Sequence, residues 1–247
     1  MLLEVCVDSL VSAKNAIAGG ADRLELCSAL ALGGLTPYAA LLEQIRELSD
    51  IPIRCLMRPR PGDFLYSAGE LSLLERQIHT LSQAGADGFV LGCLTPEGRL
   101  DRAAMAPLLR ACGGKGVTLH RAIDVSADPE RTYLDGAELG IDTVLTSGAA
   151  PSCLDGRETI ARLLELRDRE MGPEVLIGAG VNARVIRLFR LEIPGVRAFH
   201  MSGKEEVGSR MVFRREGVPM GLPGLDEWSI PQTGLSTVRQ ARQALDA

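Results

Sequence analysis

Charged, thiol and imidazole side chains in this chain sit within or just after short apolar runs. LLEVCVD sets Glu4 and Cys6 between Leu3, Val5 and Val7, and RLELC sets Glu25 and Cys27 around Leu26. Further on, MRPRPGDF carries Arg58 and Arg60, and LHRAID carries His120, Arg121 and Asp124. GAGVN offers Gly178, Gly180 and Asn182, and AFHMS offers His200 and Ser202. Of the three histidines, only His79 lies away from such a run, inside a predicted helix.

Three chemistries suit these residue types. The forked guanidinium groups of Arg58, Arg60 and Arg121 match a carboxylate or phosphate. Gly178 and Gly180, with Asn182 as a helix N-cap and Ser202 at the last strand end, extend that anion site. His120 and His200, with Glu25 or Asp124, have the groups to move protons on a bound substrate. Cys6 and Cys27 form a soft donor pair of the kind Cu(I) selects. A structural alternative also stands: buried carboxylates and arginines on strands can neutralise one another as an ion network. The sequence has no nucleophile elbow, no Schiff-base lysine at a strand end and no His-x-His pair, so the reaction type stays open and no organic cofactor is indicated.

These residues need a scaffold that brings strand ends together. Period-two apolar runs predict strands over 2–7, 23–26, 53–57, 88–91, 117–120, 143–146, 175–179 and 198–201. Helix-period stretches, such as 9–18, 39–48, 71–84, 129–139 and 158–170, alternate with them. This alternation is that of a parallel α/β fold, and the 247 residues suit one (β/α)8 TIM-barrel domain over 1–247.

An internal repeat points to closure. GGADRLELC, AGADGFVLG and LGIDTVLTS share a Gly-x-Asp entry into a strand, and PGVRAFHMS repeats it with Arg197 in place of the aspartate. One copy every two βα units is natural in a closed sheet. Aligned, the copies turn Leu24, Phe89, Val144 and Phe199, then Leu26, Leu91, Thr146 and Met201, toward the helices. Glu25, Val90, Leu145 and His200, then Cys27, Gly92, Ser147 and Ser202, turn toward the axis. Glu4, Cys6 and Asp8 follow the same logic. The expected site is therefore the C-terminal mouth of the barrel.

A net charge of −5 argues against nucleic acid or an anionic membrane as partner, and no apolar run is long enough to cross a bilayer. The six dispersed cysteines and the non-basic start predict a reduced, cytoplasmic protein without a signal peptide. Between strand 8 and a last helix over 236–245, residues 203–234 show little periodicity. Arg210, Met211, Arg214, Arg215, Met220 and Trp228 there suggest a lid or an oligomer arm.

The ordered motifs EVCVDS, GGADRLELCSALALGGLTP, MRPRPGDF, LGCLTPEGRLD, VTLHRAID, VLTSG and AFHMSG resemble the CutC copper homeostasis proteins over nearly the whole chain. That resemblance implies a cytoplasmic, often oligomeric (β/α)8 barrel linked to copper handling, with Cys6 and Cys27 matching the family's proposed Cu(I) ligands. Where the family has three consecutive glycines after strand 7, this chain has Ala179 in the middle. Two functions follow: a copper(I)-handling protein, or a barrel enzyme acting on a small anionic metabolite, phosphorylated ones included, at the mouth.

Overall fold

In the computed structural model eight parallel strands close into a barrel, with β8 (Ala198–Met201) pairing back onto β1 (Leu2–Val7). Between them run β2 (Arg23–Leu26), β3 (Ile53–Leu56), β4 (Gly88–Leu91), β5 (Gly116–Leu119), β6 (Thr143–Thr146) and β7 (Glu174–Ile177). The structure describes residues 1–215, 217, 218, 221, 224 and 226–247; Met220 lies outside them. The outer layer is α1 (Leu10–Gly19), α2 (Ala39–Arg46), α3 (Ala68–Gln83), α4 (Arg102–Ala111), α5 (Pro129–Glu138), α6 (Arg157–Glu170), α7 (Ala183–Glu192) and α8 (Leu235–Asp246). Local signals set these helices. Ser67 and Glu70 form a capping box on α3, and Asp128 caps α5 with Pro129 in its first turn.

The repeat has a physical reason. Gly20, Gly85, Gly140 and Gly195 all take positive φ, which lets the chain turn sharply from helix into strand. The aspartate two residues later reaches back to the preceding odd strand. Leu3 N donates to Asp22 Oδ2 at 2.7 Å, Ile53 N to Asp87 Oδ2 at 2.8 Å and Val117 N to Asp142 Oδ2 at 2.7 Å. The fourth copy has Arg197 in place of the aspartate, and its carbonyl accepts from Leu2 N of β1, as the Asp142 carbonyl accepts from Glu174 N of β7.

The strand faces agree with the alternation. Leu24, Leu26, Phe89, Leu91, Val144, Phe199 and Met201 belong to the apolar layer under the helices. Thr146 is the polar member of that set, its hydroxyl donating to Asp124 Oδ1 at 2.5 Å. Two small apolar clusters fill part of the barrel interior: Cys27, Leu56 and Val90, and Leu145, Leu176 and Ala198.

The long connection departs from its aperiodic reading. It holds an antiparallel pair, β9 (Lys204–Gly208) and β10 (Ser229–Thr233), with β9 exposed along its length. Asn15 on α1 donates to the Thr233 carbonyl at 2.8 Å and Thr233 N donates to Ser12 Oγ at 3.0 Å, which fixes β10 to the barrel wall.

Candidate functional site

The barrel floor is an ion network. The buried Glu4 carboxylate accepts from Arg23 Nε and from the His200 ring, whose Nδ1 lies 2.8 Å from Glu4 Oε1. Arg54 reaches past β4 and β5 to Asp142 at 2.8 Å and donates to Thr118 Oγ1 at 2.6 Å. Gly88 and Gly116 make room for it, since a Cβ on Gly116 would lie 2.5 Å from Arg54 Nη2.

Arg23 Nη2 is left without a hydrogen-bond partner on the floor, and one layer higher a carboxyl oxygen is left so too. Glu25 is the β2 register partner of Cys6, and its Oε2 lies 3.7 Å from His200 Nδ1. That oxygen is buried and makes no hydrogen bond. Burial pushes the Glu25 carboxyl up to about 7, helped by the charge of Glu4 and opposed by His200 and Arg23. Burial also acts on Glu4, but the His200 hydrogen bond and the Arg23 charge outweigh it and hold Glu4 down at about 2. Burial opposes charge on His200, yet Cys6, Glu25 and Glu4 together raise it well above its ordinary value. Two neighbouring carboxyl groups are thus driven apart, one fixed as an anion and one poised near neutrality.

The loops after β2, β3 and β5 build the other wall. Arg58 Nη1 donates to the carbonyls of Leu32 and Gly34, both at 3.1 Å, and its Nη2 donates to that of Gly62 at 3.1 Å. Arg58 lies 5.4 Å from the centroid of the Phe64 ring, and Phe64 packs at 4.7 Å on His120. Among the described residues no carboxylate pairs with Arg58, and its buried Nε has no partner. His120 sits just past the end of β5, where Ala122 N donates to its Nδ1 at 3.2 Å. Its Nε2 is buried and unpartnered. Burial, reinforced by the nearby Arg58 charge, lowers the His120 ring to about 3. Gly92 makes space for this ring, because a Cβ there would fall 2.8 Å from His120 Cε1.

These groups converge. Cys6, Glu25, Arg58, Phe64, His120, Arg121, Asp124 and His200 line one cavity of about 350 Å³ at the barrel mouth. Asp124 is heavily engaged there: it accepts from Thr146, the Ser147 and Ala149 amides and Arg121 Nε, so it orders the loop after β6. Other expected members lie elsewhere. Arg60 pairs with Asp63 and Glu70 at 2.9 and 2.6 Å on the outer side of its loop. Asn182 spends its Oδ1 on the amides of Arg184 and Val185, capping α7, and Gly178 N donates to the Thr146 carbonyl. Gly180 takes positive φ in the same turn, and Ala179 also takes φ +71 despite its methyl group. Ser202 lines a separate cavity of about 100 Å³ with Asp8, Ser12 and Lys204. Phe64 was not singled out from sequence. Its position after the arginines of MRPRPGDF is the one signal, an aromatic ring within reach of a guanidinium.

Metal donors are present in two sets. Cys6 and Cys27 are both free, and they lie on adjacent strands, with Cys6 the register partner of Glu25, two residues before Cys27. Cys27 donates to the Val7 carbonyl at 3.5 Å, and burial, Cys6, Glu25 and Asp8 push its thiol well up. This donor type suits Cu(I), but the surrounding carboxylates oppose the thiolate form that Cu(I) requires. Glu4, Glu25 and His200 place ligand atoms within 4.8 Å of one another. That second set is harder, suited to a divalent ion, and its Glu4 and His200 already bond each other.

Comparison with known proteins agrees with the barrel and its motifs. The family model described as CutC family matches residues 1–205. A CutC family protein of Xanthomonas campestris is 46% identical over 213 residues, 85% of this chain and 87% of that one. One of Aliivibrio fischeri is 38% identical over 245 residues, 98% of each. The crystal structure of a Streptococcus agalactiae CutC, assigned provisionally to copper homeostasis, superposes with a TM-score of 0.76 at 28% identity, covering 82% of this chain and 98% of its own. A Streptococcus mutans protein named KGPDC shares the fold alone, with a TM-score of 0.59 at 17% identity, covering 99% of this chain and 97% of its own. The chain belongs to the CutC family.

Proposed function

We propose that the barrel mouth is the active site of an acid–base enzyme for a small anionic metabolite. One observation carries this reading: the cavity wall presents an arginine that has no carboxylate partner among the described residues, together with a buried carboxyl poised near 7. Arg58 attracts the anion, Arg121 flanks it, and Glu25 exchanges a proton with it. His200, held by Glu4, keeps positive charge beside Glu25 and can return a proton to it. Because Glu25 and His120 are themselves buried, these interactions are stronger than at an open surface.

Binding of phosphate, pyruvate and lactate, followed by ligand-observed NMR, tests the reading. Arg58→Lys, which keeps a charge but loses the fork, should weaken binding, and the Cys6→Ser, Cys27→Ser double variant should leave it. No binding by any of these anions removes the anion site.

A second reading, direct Cu(I) binding by Cys6 and Cys27 with copper as cargo, is favoured by the place of the two residues on adjacent strands, Cys6 lining the cavity and Cys27 buried just past the end of β2. Anaerobic Cu(I) titration against a competing chelator decides it. Tight stoichiometric binding lost in the double serine variant supports it, and binding unchanged in that variant ends it. With either function we propose a cytoplasmic protein, supported by six unpaired cysteines, that self-associates through the exposed apolar residues Met211, Val212 and Phe213 beside β9.

A further inference from the structure

Three residues lining the mouth cavity each carry a buried polar atom without a partner: Glu25 Oε2, Arg58 Nε and His120 Nε2. Seven buried side-chain polar atoms lack a partner among the described residues, and these three gather around one cavity, as the complement of a ligand would. Two are donors. The Ala122 amide donates to His120 Nδ1, so that nitrogen must be unprotonated and Nε2 carries the hydrogen. Arg58 Nε–H is a donor at any accessible pH. The third, Glu25 Oε2, accepts a proton.

From this arrangement we infer that the substrate is an enolisable carbonyl compound bearing an anionic group, with its carbonyl oxygen on His120 Nε2–H, its anionic group toward Arg58 and its acidic C–H toward Glu25. This rests on the acid–base reading above and gives it a substrate class. The step balances within the site. The C–H bond breaks and its proton passes to the Glu25 carboxylate, while its electron pair becomes the new C=C bond. The carbonyl π pair moves to oxygen, which becomes the enolate oxyanion. Return of the proton to carbon regenerates a carbonyl compound, so no oxidant or further reactant is needed. A neutral imidazole suits the oxyanion because it donates a hydrogen bond without surrendering its proton, and a glutamate base opposite it completes an enolisation pair. The groups facing His120 fit that role: Arg58 disfavours a second proton on the ring, the Phe64 ring covers it, and Asp124 is already tied to Arg121 and Thr146.

The test uses the full chain in deuterium oxide. Pyruvate and dihydroxyacetone phosphate are followed by proton NMR for loss of their C–H signals, with lactate and glycerol 3-phosphate as binding controls that cannot enolise. The expected result is exchange above the uncatalysed rate, abolished by Glu25→Gln. His120→Phe should slow it by roughly 100- to 1,000-fold, the usual effect of removing one oxyanion donor, and His120→Gln should recover part of the rate. Independently, nitrogen-15 NMR of the wild-type rings should show His120 as the Nε2–H tautomer, unchanged across neutral pH. An Nδ1–H tautomer, a ring that titrates near neutrality, or binding of these anions without exchange of either carbonyl compound overturns the inference. In the last case the anion site itself survives. Failure of every anion to bind removes both.

Discussion

The floor and the mouth of the barrel interior are built from the same residue types and treat them differently. On the floor, Glu4 meets Arg23 and His200, and Arg54 meets Asp142, so each arginine has a carboxylate. At the mouth, Arg58 has no carboxylate among the described residues, and Glu25 meets His200 only at 3.7 Å, with its Oε2 making no hydrogen bond. Glu4 and Glu25 show the contrast in a single layer step: both are buried beside His200, yet one falls to about 2 and the other rises to about 7. Paired buried charge specifies the fold, and unpaired buried charge is kept where chemistry can use it.

The largest expected effect breaks the floor. Glu4→Gln leaves Arg23 and His200 without their shared anion and should cost about 3–5 kcal/mol in urea unfolding, the usual loss when one partner of a buried pair is removed. Glu25→Gln, in contrast, removes a desolvated carboxyl with a free oxygen, so stability at neutral pH should hold or rise while proton exchange disappears. Equal losses for the two variants would erase the distinction between floor and mouth.

The pH dependence of stability should separate the same pair. The Glu25 carboxyl rises from 4.5 to about 7 on folding, so between those values the native state holds a proton that the unfolded chain has lost. Its contribution is therefore full below 4.5 and fades as pH climbs through 7, by roughly 3 kcal/mol in all. Glu4 runs the other way: its contribution is present above 4.5 and is lost as pH falls toward 2. Urea midpoints measured against pH should lose their neutral slope in Glu25→Gln and their acid slope in Glu4→Gln.

A smaller change sharpens the picture of the mouth. Gly92→Ala drives a methyl group into His120 and Leu119, at 2.8 and 2.9 Å from their nearest atoms. It should cost about 1–3 kcal/mol in thermal or urea unfolding, as overpacking does, and shift the His120 ring resonances. Smallest of all is Arg60→Ala. Because Arg60 is held by Asp63, Glu70 and the carbonyls of its own loop, outside the cavity lining, anion affinity should stay at the wild-type level, whereas Arg58→Lys lowers it.

Much of this was legible from the chain. The alternation in LLEVCVD and RLELC put Glu4, Cys6, Glu25 and Cys27 on the inner face, and the Gly-x-Asp repeat implied closure, both of which the barrel shows. Arg58, His120 and His200 were expected at the mouth and line it. Arg60 and Asn182 were expected with them and instead satisfy neighbours within their own loops, because local carboxylates and helix amides outcompete a distant cavity. The β9–β10 pair has no sequence signal, because exposed strands such as KEEVG carry no apolar alternation.

What the sequence determined by itself is the set of inward-facing residues, since side-chain direction follows from the period of a strand and needs no knowledge of its partners. Which of those residues neutralise each other was decided only by closure of the barrel. His200 reaches Glu4 across 196 positions of sequence because β8 pairs with β1, and that bond fixes Glu4 as an anion while Glu25 keeps a free oxygen. Charge state in a buried site depends on distance and desolvation in three dimensions, and neither is written in the order of residues along the chain.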